Sequence, residues 1–212
     1  MYKFDKTIAK YLLQSKAIKL EPTKPFTWAS GWRSPIYCDN RITLSYPQIR
    51  DAIRDALSAL IKQNFPEANV IAGVATGAIA QGALVAQDMN LPFAYVRSTP
   101  KKHGMENLIE GEIRPNQRVV VVEDLISTGG SSLQAVEAIR KAGAEVLGMV
   151  AIFTYGFPLA EENFKKAGCK LITITNYEKL LDVAVPEGYV TLEQLDTLME
   201  WRKDPSTWMQ EK

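Results

Sequence analysis

The stretch from Val119 to Ser132, Val-Val-Val-Val-Glu-Asp-Leu-Ile-Ser-Thr-Gly-Gly-Ser-Ser, constrains the fold of this chain more than any other. Four consecutive valines put β-branched, apolar side chains on both sides of an extended backbone. That suits a strand covered on both faces and argues against one that alternates between core and water. Glu123 and Asp124 mark the carboxyl end of this strand. Ser127, Thr128, Gly129, Gly130 and Ser131 then lead into a helix over 131–142, with Leu133, Val136 and Ile139 on one face and Gly143 as its stop. A buried strand, a small-residue turn and an amphipathic helix make one unit of an open α/β sheet.

The rest of the chain repeats that unit. Val70–Ala75, Phe93–Arg97, Val146–Phe153 and Leu171–Thr175 read as further strands, apolar or β-branched and bounded by turn formers. Ile49, Ile53, Leu57 and Leu60 share one face of a helix over Pro47–Lys62. The alternation predicts an α/β fold with an open, mostly parallel sheet flanked by helices, whose ligands sit beyond the carboxyl ends of the strands. The 212 residues fit one domain, with its core over about 46–175. Residues 21–45, with Trp28 and Trp32 among turn formers, suggest a small N-terminal hood over about 1–45, completed by C-terminal elements. Residues 98–118 form a long polar connection of the kind that is usually functional. Thr191–Lys203 reads as a closing helix with Leu192, Leu195, Leu198 and Met199 toward the core.

Composition excludes several classes of function. Hydrophobic residues at 46% and charged residues at 23% describe an ordinary soluble globular chain, and no apolar stretch is long enough to span a bilayer. The first twenty residues lack both an apolar h-region and a small-residue cleavage site, so a cytoplasmic protein is expected. Cys38 and Cys169 lie far apart and His103 adjoins neither, which leaves no structural zinc site and two free thiols. With 25 basic and 24 acidic residues, no overall field draws in nucleic acid. Recognition of phosphate has to be local.

The valine run supplies such a place. Small residues let backbone N–H groups close around a phosphate, hydroxyls add donors, and the helix N-terminus contributes partial positive charge. Two adjacent carboxylates beside an anion site make sense if they accept hydrogen bonds from a sugar diol or face a cation. A Walker A loop and a Gly-x-Gly-x-x-Gly dinucleotide fingerprint are both missing. Thr-Gly-Gly-Ser alone favours a tight, capped turn; the preceding four valines and acid pair favour a functional one. Gly73-Val-Ala-Thr-Gly-Ala78 offers a second strand-to-helix turn, which by itself is as easily structural. Arg97, Lys101, Lys102 and His103 gather cations in the long connection. A lid closing on a departing anion would use them to neutralise charge and exclude water.

Together these residues resemble the orotate phosphoribosyltransferases of the type I phosphoribosyltransferase family. Phe26–Tyr37 is similar to the hood segment, Tyr95–Gly104 to the catalytic loop, and Glu123–Ser131 to the motif that binds phosphoribosyl pyrophosphate (PRPP). The resemblance runs from about residue 4 to about residue 200. It implies that Arg97, Lys101 and His103 contact PRPP phosphates, reaching into the neighbouring subunit of a homodimer. Glu123 and Asp124 would hold the ribose hydroxyls, and Leu125, Ile126, Ser127, Thr128, Gly129, Gly130 and Ser131 would complete the PRPP site. Lys101, His103 and Asp124 would be catalytic, and Ser127 would also touch orotate. It further implies Mg²⁺ as cofactor, held mostly by substrate oxygens and water rather than by a protein cluster. Ala29, Gly77 and Tyr155-Gly156-Phe157 stand where some members carry a lysine, a lysine and an orotate-binding arginine. Arg33 is a candidate partner for the orotate carboxylate. A purine phosphoribosyltransferase and a PRPP-sensing regulator remain as alternatives. The first would lack the hood and lid motifs, and the second would lose the lid cations.

Overall fold

The structure, a computed structural model, describes residues 4–28, 30–98 and 108–209. Its elements run α1 (Asp5–Gln14), β1 (Ile18–Leu20), β2 (Phe26–Thr27), β3 (Arg33–Ser34), β4 (Ile36–Cys38), a 3₁₀ turn (Asn40–Ser45), α2 (Pro47–Asn64) and β5 (Val70–Val74). There follow α3 (Ile79–Met89), β6 (Phe93–Val96), β7 (Ile109–Glu110), β8 (Arg118–Ile126), α4 (Gly130–Lys141) and β9 (Glu145–Thr154). The chain closes with α5 (Pro158–Lys166), β10 (Leu171–Asn176), α6 (Tyr177–Ala184) and α7 (Leu192–Lys203). No helix among the described residues is long and apolar enough to cross a membrane.

Six strands form one sheet in the order β10-β9-β8-β5-β6-β7, parallel throughout except for β7, which runs antiparallel to β6. The valine run sits in its middle and is covered on both faces. Val120 and Val122 join the cluster formed with α1, α2, α3 and α6, while Val119 and Val121 join the cluster formed with α4 and α5. All four are 0% exposed, which explains why the run is continuously apolar. Each helix contributes its apolar stripe. On α2, which starts with Pro47 in its first turn, Ile53, Leu57 and Ile61 are buried at i, i+4 and i+8.

The sheet order places the site. From β5 the chain moves outward to β6, then returns to the other side of β5 for β8 and continues outward through β9 and β10. The order reverses between β5 and β8, and the crevice outside their carboxyl ends is where an open α/β sheet takes its ligands. Both turns singled out in the sequence lie there.

Three features depart most from expectation. Strand β8 does not stop at the acid pair but runs on to Ile126, because Leu125 and Ile126 pair with Phe153 and Thr154 of a β9 that is itself ten residues long. The long connection contains β7, which pairs Ile109 and Glu110 with Val96 and Tyr95. In α7, Leu198 and Trp201 are fully buried, whereas Leu192 is 71% and Met199 51% exposed. At roughly 100° per residue, both lie about 100–120° around the helix from Leu198, and Trp201 takes the core position.

Candidate active site

The turn after β8 owes its shape to Gly129. This residue caps α4 with φ at +82°, a left-handed conformation that glycine adopts without a Cβ penalty. A Cβ there would also come within 2.7 Å of the Phe164 ring on α5. With Gly129 turned this way, the first N–H groups of α4, which no helical carbonyl can satisfy, open toward the crevice. Asn163 of α5 supports the turn from behind, its Nδ2 donating to the Thr128 carbonyl at 2.9 Å.

On the facing side, the turn after β5 contains a cis peptide between Ala75 and Thr76. Gly77 there leaves room for the Asp124 carboxylate, which occupies the space that a Cβ on residue 77 would need. The two turns and the acid pair enclose a cavity of about 500 Å³. Of the residues expected in the site, Glu123, Asp124, Leu125, Ser127, Thr128, Gly129, Gly130 and Ser131 line it. Ile126 does not: its side chain is fully buried, and its carbonyl accepts from Tyr155 N. Arg97, just beyond β6, does not line the cavity either and pairs with Glu110 at 3.4 Å. Lys101 and His103, like Lys102 and Ala29, lie outside the described residues.

The two acids have different surroundings. Glu123 is only 5% exposed; its Oε1 accepts from Asp124 N at 2.9 Å and its Oε2 from Ser132 Oγ at 2.8 Å. Burial first, and then the Asp124 charge, push its carboxyl well above the ordinary carboxylate range. Asp124 is more open. Its backbone carbonyl lies beyond the last β5 partner, since β5 pairs with β8 only as far as Val122, and Asn40 Nδ2 donates to it at 2.6 Å.

Asn40 belongs to a wall of the site that the motifs did not reveal. Cys38, Asp39 and Arg41 line the same cavity from the hood side. Arg41 grips Asp39 through two bonds, Nε to Oδ1 at 2.7 Å and a terminal nitrogen to Oδ2 at 2.9 Å, and this holds the Asp39 carboxyl below its usual range. Burial pushes the Cys38 thiol up, with Asp124 and Asp39 adding to the effect, so its sulfur stays neutral. Among the described lining residues Arg41 is the one cation, set against Asp39, Glu123 and Asp124. The signal that was available is the Asp-Asn-Arg triplet after β4, in which Asp39 accepts from Arg41 N and so starts the 3₁₀ turn.

The hood proper is held by aromatic rings. Trp28 meets Tyr155 at 5.2 Å and Trp201 at 5.6 Å between centroids, and Tyr155 stacks on Phe157 at 5.4 Å. Arg202 donates to the carbonyls of Tyr155 and Gly156 at 3.1 and 3.2 Å, so α7 fixes the end of β9. Arg33 Nε is buried without a hydrogen-bond partner among the described residues, and Arg33 does not line the cavity. A larger groove of about 690 Å³ between α6 and α7 is lined mainly by Leu181, Val185, Leu195 and Met199. It shares no residue with the polar cavity.

Comparison with known proteins agrees with this geometry. The phosphoribosyl transferase domain matches residues 43–187. The orotate phosphoribosyltransferase of Bacteroides thetaiotaomicron is 63% identical over 208 residues, covering 98% of each chain. That of Listeria monocytogenes is 53% identical over 204 residues, covering 96% of this chain and 98% of its own. Among solved structures, the orotate phosphoribosyltransferase from Aeropyrum pernix superimposes with a TM-score of 0.76 at 29% identity, over 87% of this chain and 99% of that one. Leishmania donovani UMP synthase matches with a TM-score of 0.79 at 27% identity over 93% of this chain, which spans only 42% of that longer one. With a domain model covering most of its length and full-length relatives above half identity, the chain belongs to the phosphoribosyltransferase family and, within it, to the orotate phosphoribosyltransferases.

Proposed function

We infer that this chain transfers ribose 5-phosphate from PRPP to N1 of orotate, giving orotidine 5'-monophosphate and pyrophosphate in pyrimidine (UMP) biosynthesis. One observation carries the reading at the level of residues. A single cavity brings together an acid pair, a small-residue turn opening a helix, and a second strand-to-helix turn opposite.

In this reading the N–H groups and hydroxyls of Ser127 to Ser131 hold the 5-phosphate, with Leu125 and Ile126 contributing only the backbone that leads into the turn. Asp124, aided by Glu123, accepts from the ribose hydroxyls. It also faces the sugar carbon, where positive charge grows as pyrophosphate departs, an interaction strengthened away from bulk water. The turn at Thr76 and Gly77 receives the pyrophosphate. Arg97, Lys101 and His103 are assigned to the lid that neutralises it, shared across the subunits of a homodimer. Ser127 is placed to touch orotate as well as phosphate.

The residues present fit Mg²⁺ as the cofactor. No group of three or more His, Cys, Asp or Glu side chains suited to a metal occurs among the described residues. With Asp39 paired to Arg41, the Asp124 carboxyl still faces any bound polyanion, a contact that an accompanying cation relieves. Asp124 is the side chain to hold such an ion, directly or through water. When bound, Mg²⁺ offsets charge on the pyrophosphate oxygens.

The deciding experiment follows the absorbance of orotate with purified protein, PRPP and Mg²⁺. Loss of absorbance with orotate, and no reaction with uracil, xanthine or adenine, is the expected result. Turnover of adenine or xanthine instead of orotate would overturn the base assignment, and the absence of turnover with all four would overturn the enzyme. Cell fractionation is expected to place the protein in the cytoplasm.

A further inference from the structure

We propose that Asn163 is a positioning residue for the PRPP site. Its carboxamide fixes which way the Thr128–Gly129 peptide faces, and thereby whether the turn offers phosphate an N–H or a carbonyl. The inference rests on the cavity being the PRPP site.

The argument starts from peptide geometry. In a trans peptide the C=O and N–H point in opposite directions, so anchoring one aims the other. Asn163 Nδ2 donates to the Thr128 carbonyl at 2.9 Å. Asn163 itself does not line the cavity, whereas Thr128 and Gly129 do. The carbonyl is therefore held on the outer side of the turn, and the N–H of the same peptide, which belongs to Gly129, is turned toward the cavity.

This peptide needs an anchor more than its neighbours do. Gly129 adopts φ +82° and, lacking a Cβ, tolerates rotation of the preceding peptide plane that other residues resist. Rotated, the plane would present the carbonyl oxygen of Thr128 to an incoming phosphate, replacing attraction by repulsion at the mouth of α4. Helix α5 opposes this twice. Asn163 ties the carbonyl, and the Phe164 ring lies under the Gly129 Cα, where an added Cβ would sit within 2.7 Å of it. Phe164 is buried in the cluster shared with α4, so the brace is fixed to the core. Thr128 and Asn163 are 35 residues apart, and neither turn chemistry nor helix periodicity links them.

The test uses two substitutions in the full-length protein. Asn163→Leu keeps the shape and removes the donor without adding charge. Asn163→His restores an N–H at Nδ1, the same number of bonds from the backbone as asparagine Nδ2. Steady-state kinetics with both substrates are combined with calorimetric titration of PRPP in the presence of Mg²⁺, and with melting temperature. The expected result for Asn163→Leu is a rise of about tenfold in PRPP KM and Kd. Its orotate KM should stay within about twofold of wild type, and Asn163→His should recover most of the PRPP affinity. Unchanged PRPP affinity in Asn163→Leu would overturn the proposal. So would a parallel rise in both KM values with a lowered melting temperature and no recovery in Asn163→His, because that pattern marks a residue needed only for folding. A wild-type protein that bound no PRPP would overturn the assignment of the cavity itself, a failure visible before any variant is compared.

Discussion

The two walls of the site are built in different ways. The wall made by the two turns stands on the central strands of the sheet: β5 and β8 each run straight into a turn and a helix, and most of its groups come from two short continuous stretches, 74–77 and 123–132. The hood side lines the cavity with Cys38, Asp39 and Arg41, and the hood behind them is assembled from pieces distant in sequence. Trp28 of the hood, Tyr155 at the end of β9 and Trp201 of α7 meet through their rings, and Arg202 bonds to the Tyr155 and Gly156 carbonyls. Local chain geometry makes the first wall, whereas packing among remote segments makes the second. Damage to the first should therefore appear in phosphate binding, and damage to the second in stability and base recognition.

The largest effect on binding is expected at Gly129. Gly129→Val puts a β-branched side chain at a positive φ and against Phe164, and PRPP affinity should fall on the order of a hundredfold. Isothermal titration measures it, and a loss confined to orotate would contradict the division of labour between the walls. Next, Trp201→Ala removes a ring that is 0% exposed, and should cost about 3–5 kcal/mol in denaturant unfolding. In the surviving folded protein, orotate KM should rise more than PRPP KM; the opposite order would mean that the hood does not govern the base.

A smaller, pH-dependent effect is expected at Glu123. Its carboxyl is raised in the folded protein relative to the unfolded chain, so the fold binds the proton more tightly. The stability tied to that proton is complete below the unfolded carboxylate range, and it is lost as pH rises through the raised folded value. Glu123→Gln has no proton to lose. Its melting temperature should therefore gain on wild type as pH rises from about 4 toward neutrality, by a few degrees for each ~1 kcal/mol. A constant or shrinking difference in thermal scans would mean that burial does not dominate at this residue. The smallest effect belongs to Leu192→Lys, which alters a side chain 71% exposed on α7 and should shift stability by no more than about 0.5 kcal/mol. A larger loss would show that Leu192 is covered in solution.

Much of the wall made by the two turns was legible in the sequence. The valine run, the acid pair and the small-residue turn are contiguous, and each residue type has a physical reason to stand where it does, so the strand, the turn and α4 followed with boundaries close to those observed. The strand end lies beyond the acid pair because Leu125 and Ile126 extend β8 only through their partners on β9. The hood was legible as a segment but not as a wall. Asp39, Arg41 and Asn40 carry no pattern longer than a triplet, and their place beside Asp124 depends on a contact spanning 84 residues. The facing of α7 was half right: Leu198 is buried as expected, but Met199 is exposed, because Trp201 offers the aromatic cluster a larger surface than Met199 does.

The amino-acid sequence alone determined the class of fold, the place of the small-residue turn and the family, because these rest on periodicity and on residues adjacent in the chain, where a few bonds dictate the geometry. Only the tertiary structure decided that Glu123 is buried against Ser132, that Arg41 and Asp39 close the cavity, and that Asn40 and Asn163 hold two of its carbonyls. Those contacts join segments whose separation along the chain carries no local signal, and they form only when the core packs around β8.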